Sequence, residues 1–418
     1  MLINNLPKFE PDSPDFRENP YSVYKLYQQY APIFYREEFD DWIITSYRDV
    51  KEGLENSLLR SASMEKPITT ISLGWDEILK IESDEEKISM LQLKINDFYG
   101  QFLNNLSPPY HTTIRGILNP IFSINNIESL RSKMENFAIT LIEKKIKDGE
   151  IDIVNDYAFP LITQVFFNFL GLSLSNLKNL VKFSNLFINS KDLINNESKN
   201  KLKLNIILLS YVNYLYPILL ERKKNLKDDI ISKLLILEME GMLSIDSVLT
   251  IIINLIIGGL ETTINSISFS VYSLINNPSQ IQKLQSEPDL IKIAIEELLR
   301  FTSPVQCLSL YARDSFNIKD NLILKGQKVN LIIGAANHDP EKFTKPDELD
   351  ITRKPNPHLT FSSGHHYCIG AGLARLEMEI AISNLFSRLS DMKVISYEYN
   401  EQYNMSGFKH LKIHFKYS

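Results

Sequence analysis

Phe361 to Arg375 reads F-S-S-G-H-H-Y-C-I-G-A-G-L-A-R, and the fold turns on what Cys368 is doing there. Gly364 stands four residues before the cysteine and Gly370 two after it, where a tight loop runs into a helix. The helix is legible because Leu373, Leu376 and Ile380 recur at spacings of three and four, with Arg375, Glu377 and Glu379 between them on what reads as the wet face. A thiol at a helix N-terminus feels the positive end of the macrodipole and nearby backbone N–H groups, and both favour thiolate. An isolated cysteine in an apolar protein is ordinarily a small buried hydrophobe. Burial alone has no need of two glycines, an aromatic at Phe361 and a polar pair at His365 and His366.

This stretch resembles the cysteine-ligand loop of the cytochrome P-450 family, F-x-x-G-x-H-x-C-x-G, at Phe361, Gly364, His366, Cys368 and Gly370. The resemblance implies haem b with Cys368 as axial thiolate, an electron-rich ligand that favours O–O cleavage. It also implies that His366 contacts a haem propionate and that Gly370 packs close beside the haem. The fold it implies is mainly α with small β-sheets, the cytochrome P-450 fold, as a single domain over 1–418.

Composition agrees with that reading. The 418 residues are 44% apolar and 23% charged, as in an ordinary soluble globular protein. With 45 basic and 51 acidic side chains the net charge is −6, which offers no global basic field for nucleic acid. Two cysteines, one of them assigned to iron, exclude a disulfide framework and point to a reducing compartment. The N-terminus has no basic segment followed by a long apolar core, and the apolar run from Val248 to Leu260 falls short of the ~20 residues that span a bilayer. A cytoplasmic protein without a membrane anchor is expected.

In chain order, residues 1–20 are a proline-rich, irregular lead-in, followed by an amphipathic helix near Tyr21 to Tyr30. Ala31 to Tyr47 alternates around Trp42, Ile43 and Ile44 as a hairpin does. Residues 60–107 form a long connection, which by resemblance roofs the substrate pocket and offers Ile71 as a liner. In S-P-P-Y-H-T-T-I-R, Pro108 and Pro109 open a helix that carries His111 and Arg115 at i and i+4. The family's P-P-x-H-x-x-x-R helix implies that this pair holds the propionates. Residues 177–227 correspond to the family's lid.

Residues 244–276 support one helix about 50 Å long, closed by Pro278. Its G-G-L-E-T-T contains two adjacent glycines, which cost roughly 2 kcal/mol relative to alanine. A bare backbone at Gly258 and Gly259 permits close approach of a planar ligand. The hexapeptide resembles the family's oxygen-activation motif. Thr262 is then expected to help hold dioxygen and a water, and Glu261 to belong to the route that brings protons in.

Glu297 and Arg300 lie at i and i+3, and with Arg353 they resemble the family's Glu-Arg-Arg triad, a structural set of ion pairs. Two positions depart from the pattern. Leu310 stands where a propionate-binding arginine is usual, with Arg313 an odd number of steps away, so weaker propionate anchoring is expected. His338 replaces arginine in A-A-N-H-D-P. Val305, Cys307, Leu308 and Met405 complete the expected substrate liners.

The function expected is a haem-thiolate monooxygenase that hydroxylates or epoxidises a lipophilic substrate, free or carrier-protein-bound, as a monomer served by a separate ferredoxin or flavodoxin. A peroxide-driven or non-oxygenating relative, or a haem sensor, is the alternative. Either would leave Glu261 and Thr262 without a task.

Overall fold

The computed structural model describes residues 6–11, 13–60, 77, 90, 101–173, 175, 179–180 and 197–417. Ile71, most of the roof connection and part of the lid lie outside the described residues. The chain divides into two compact units, one made of residues 1–61, 122–163 and 260–418, the other of 62–121 and 164–259.

The first unit is built around a five-stranded sheet. Its strands are β1 (Ile33–Arg36), β2 (Asp41–Ile44), β3 (Leu59–Arg60), β5 (Leu308–Ala312) and β8 (Lys328–Leu331), in the order β1-β2-β8-β5-β3. Strand β4 (Glu150–Asp152) joins the C-terminal hairpin β9 (Leu389–Tyr399) and β10 (Phe408–Tyr417) in a three-stranded sheet, and β6 (Phe316–Ile318) pairs with β7 (Asn321–Ile323) in a two-stranded one. Both faces of the large sheet are buried, and the period-two alternation divides its side chains between two cores. Phe34 pairs with Ile43 and faces an aromatic cluster of Phe9, Phe16, Tyr24 and Tyr27. Ile33 pairs with Ile44 and faces Val50, Leu54, Val329 and Leu331. The one acid inside this sheet, Asp41, is matched by a bidentate Arg36 at 2.7 and 2.8 Å and by Asn330 at 2.6 Å.

Leu310 belongs to the second of these cores together with Ala312, so its side chain is spent on packing. Arg313 lies beyond the end of β5 and is exposed. Cys307 departs from expectation. It is 5% exposed in the aromatic core with Tyr24, Phe34 and Ile43, so it packs there instead of lining a pocket.

The helices that position chemistry are α1 (Pro20–Tyr30), α2 (Tyr47–Glu55), α3 (Tyr110–Leu118), α4 (Arg131–Glu143), α5 (Ile245–Gly259), α6 (Glu261–Ile275), α7 (Ile291–Thr302) and α8 (Ala371–Arg388). On α7, Glu297 and Arg300 are both fully buried and pair at 2.7 and 2.9 Å. Arg353 approaches the same carboxylate at 3.0 and 3.1 Å, Asn356 at 3.0 Å, and the remaining Arg300 donors reach the carbonyls of Asn337 and Pro346. Every charge in this knot is met, the condition under which buried ions survive.

His338 fills its variant position by stacking on Tyr21, with ring centroids 4.0 Å apart. Its Nε2 faces the Phe301 carbonyl at 3.0 Å and its Nδ1 faces the Asp347 carboxylate at 3.3 Å, so both ring nitrogens meet acceptors. Burial pushes its pKa below the usual 6.5, against the pull of Asp347. A folded state that resists the proton is fully stabilised above that value and loses stability as pH falls through it. Replacing His338 with Gln is therefore expected to flatten melting temperature against pH below about 6.5, by no more than ~1.4 kcal/mol per pH unit, the limit for one proton. An unchanged slope would remove His338 from the acid response.

In the second unit, α5 packs a bare backbone against an aromatic. A Cβ added at Gly259 would come within 2.7 Å of the Phe166 ring, whereas one at Gly258 would meet nothing within 4 Å. Gly259→Ala is thus expected to destabilise by about 1–3 kcal/mol through overpacking, while Gly258→Ala, at an interior helix site with open space, is expected to be neutral or slightly stabilising in thermal denaturation. The helical stretch Ile245–Ile275 contains an 18-residue segment of mean hydropathy 1.8 and is long and apolar enough to cross a bilayer, where the shorter run Val248–Leu260 was expected to fall short. Two thirds of its apolar window is buried in protein, as in the core helix of a globular fold (67%).

Candidate active site

The cysteine loop is held open by its own backbone. Ser362 and Gly364 both take positive φ, +66° and +68°, and a Cβ at Gly364 would crowd Glu55 of α2 at 3.2 Å, so only glycine suits that position. Ser363 donates to Glu55 at 2.6 Å and tethers the turn to α2. The Cys368 N–H then donates to the Phe361 carbonyl at 2.9 Å and closes the loop, and α8 begins three residues later at Ala371. Cys368 is exposed and Cys307 buried. Gly370 lies beside the sulphur, where an added Cβ would stand 3.9 Å from Sγ in ordinary contact. Phe361 is buried beneath the loop and His366 is exposed on it.

Glu261 and Thr262 open α6, just past Leu260, where the helical pattern lapses (φ −90°, ψ −69°). The single helix expected over 244–276 is therefore two segments, α5 and α6, and the lapse falls inside G-G-L-E-T-T. Helix α6 packs on α8, which carries the cysteine loop at its start. His111, buried, and Arg115, half-buried, lie on α3 in the other unit, as do Gly258 and Gly259 on α5. Among the remaining expected liners, Val305 forms a β-bridge with Met405, and Leu308 packs against the sheet core.

One acid was misplaced by the sequence reading. Glu377, assigned to the wet face of α8, is 1% exposed. Burial pushes its carboxyl well above the usual carboxylate range, only partly offset by a hydrogen bond with Thr263. A neutral carboxylic acid can donate as well as accept, and the partner of this one, Thr263, directly follows the Glu261–Thr262 pair. The signal was available, since Glu377 lies four residues after Leu373 and three before Ile380, within the apolar stripe.

Among the described residues no three His, Cys, Asp or Glu side chains converge as a metal site. Cys368 is thus a lone sulphur donor, which suits an iron whose other ligands come from a macrocycle and not from the protein. The exposed Cys368, at the start of α8, is open to such a group.

Comparison with known proteins agrees. The sequence profile described as Cytochrome P450 matches residues 76–393. The chain is 30% identical over 402 residues to the biotin biosynthesis cytochrome P450 of Bacillus subtilis (strain 168), covering 96% of both proteins. It is 26% identical to the 6-deoxyerythronolide B hydroxylase of Saccharopolyspora erythraea, covering 92% of each. The crystal structure of P450BioI in complex with hexadec-9Z-enoic acid ligated acyl carrier protein superposes with a TM-score of 0.83 at 29% identity, over 96% of this chain and 99% of that one. The chain belongs to the cytochrome P450 family, monooxygenases that bind haem b through a cysteine thiolate.

Proposed function

We propose that this chain, working as one domain in the cytoplasm, inserts an oxygen atom into a lipophilic acyl-type substrate, by hydroxylation or epoxidation, with electrons from a separate ferredoxin or flavodoxin. The observation that carries this reading is the exposed Cys368 thiol in a glycine-flanked loop, on the helix against which the Glu261–Thr262 segment packs. A fatty acyl chain on a carrier protein is the first candidate substrate, because P450BioI, so similar in fold, binds one.

In this reading haem supplies reductive activation of dioxygen. Cys368 would hold the haem iron through its sulphur, and the helix N-terminus behind it favours the anionic form of that sulphur. His111, Arg115 and His366 are the residues that would hold the propionates, with Arg115 offering the charge-assisted bond. Leu310 leaves the anchoring to these three. Thr262 holds a water by its hydroxyl, and Glu261 relays protons from solvent to it. Glu377, neutral and beside Thr263, provides a second donor near the same segment. Val305, Leu308 and Met405 supply apolar contact to the substrate.

Optical titration of the ferric protein with free and carrier-bound fatty acids tests the substrate, and a low-to-high-spin shift confined to the carrier-bound acids would favour tethered delivery. Thr262→Ala tests the proton route. Product formed per electron pair is expected to fall about tenfold, with hydrogen peroxide or water making up the difference. Unchanged coupling would remove Thr262 from that role.

A further inference from the structure

Two successive glutamates stand on α7. Glu297 serves the buried knot described above, while its neighbour Glu296 serves a second network that no sequence motif announced. Arg375 of α8 donates to Glu296 in bidentate fashion, Nε to Oε1 at 2.6 Å and Nη2 to Oε2 at 2.8 Å. His358 meets the same carboxylate through Nε2 at 3.2 Å, and its Nδ1 accepts the Thr360 N–H at 3.3 Å, which leaves the ring proton on Nε2. Burial alone would raise the Glu296 carboxyl, but the Arg375 and His358 bonds outweigh it and hold it at about 2. The Glu296 carboxylate is therefore ionised at neutral pH, and its bonds to Arg375 are charge-assisted.

The free side of the Arg375 guanidinium lies along the cysteine loop. It stacks over the Phe361 ring, 4.5 Å from its centroid, and its Nη1 donates to the Tyr367 hydroxyl at 3.3 Å. Those two residues bracket the loop. Phe361 supplies the carbonyl that accepts the Cys368 N–H, and Tyr367 immediately precedes the cysteine. A single rigid fork thus spans from α7 to both ends of the segment that presents Sγ. A lysine cannot copy this, because a bidentate pair, a ring stack and a third bond need the planar guanidinium.

We propose that Arg375, held in place by Glu296 and His358, is a positioning residue for the Cys368 ligand loop, an assignment that rests on reading Cys368 as the thiolate ligand. Partners that orient a metal's ligand typically change metal affinity or activity by about ten- to a hundredfold when removed.

The test uses the haem-loaded protein and its Arg375→Gln, Arg375→Lys and Glu296→Gln variants, with Glu379→Gln as a control. Glu379, on the same helix as Arg375, accepts from Arg131 of α4 at 2.8 Å, away from the loop. Two quantities are read at a temperature where every variant is folded: the rate of haem transfer to excess apomyoglobin, and the share of the ferrous carbonyl complex that keeps the thiolate-type Soret band. Arg375→Gln and Glu296→Gln are expected to lose haem about tenfold faster or more and to convert to the thiol-type band. Arg375→Lys is expected to fall between them and the parent, and the control to match the parent. If Arg375→Gln lowers melting temperature as the control does but leaves both quantities at parent values, Arg375 is a stabilising ion pair only and the proposal is overturned. If the parent itself shows no thiolate-type band, the reading of Cys368 fails first.

Discussion

Glu297→Ala is expected to yield little or no haem-loaded protein. The Glu297 carboxylate accepts from Arg300, from Arg353, from Asn356 and from the Asp350 N–H, and both it and Arg300 are fully buried. Removing it leaves the Arg300 guanidinium without a counter-charge where water cannot reach. Breaking one side of a buried pair costs about 3–5 kcal/mol, against a total stability of ~5–15 kcal/mol for a typical domain. Glu297→Gln keeps the shape and part of the hydrogen bonding, so a smaller loss is expected. Thermal denaturation and haem content of the purified variants check this, and a Glu297→Ala protein within about 1 kcal/mol of the parent would mean that the knot does not hold the fold together. The nearby Arg375–Glu296 pair should cost less stability, because both partners are part-exposed and screened (35% and 28%).

Much of this architecture could be read without coordinates, for reasons that differ from place to place. The alternation at Trp42, Ile43 and Ile44 fixes which side chains face which core, and the hairpin follows from it. Gly364 could be placed because it answers a local demand, a left-handed turn. Long-range demands were not legible. The charge of Glu377 points to solvent, whereas the packing of α6 on α8 buries its stripe. Cys307 was grouped with pocket residues by its place in the chain, whereas the face it occupies is set by β1 and the N-terminal aromatics, some 280 residues away in sequence (Tyr24 to Gln306 is 282). The Arg375–Glu296–His358 network joins three segments whose spacing carries no periodic signal. Likewise His338 acquires its meaning only from Tyr21 and Asp347.

The two cysteines permit a sharper test of the site than either does alone. Cys368→Ser is expected to abolish the thiolate-type carbonyl Soret band and to lower monooxygenase turnover by about a thousandfold or more, equivalent to ~4 kcal/mol of barrier. A serine oxygen is a poorer electron donor than a thiolate, and the electron-rich axial sulphur is what favours O–O cleavage. Because Cys368 is exposed, the exchange should scarcely affect the stability of the haem-free chain. Cys307→Ser should do the opposite. Its Sγ is buried in the aromatic core with Asn330 3.9 Å away, so a hydroxyl there is poorly satisfied and costs about 1–3 kcal/mol of stability. The Cys307→Ser spectrum should stay that of the parent. Spectra and melting curves of the two variants therefore cross: one loses the band and keeps the fold, the other keeps the band and loses stability. A thiolate-type band that survives in Cys368→Ser would place the ligand elsewhere and take the proposed roles of Glu261 and Thr262 with it.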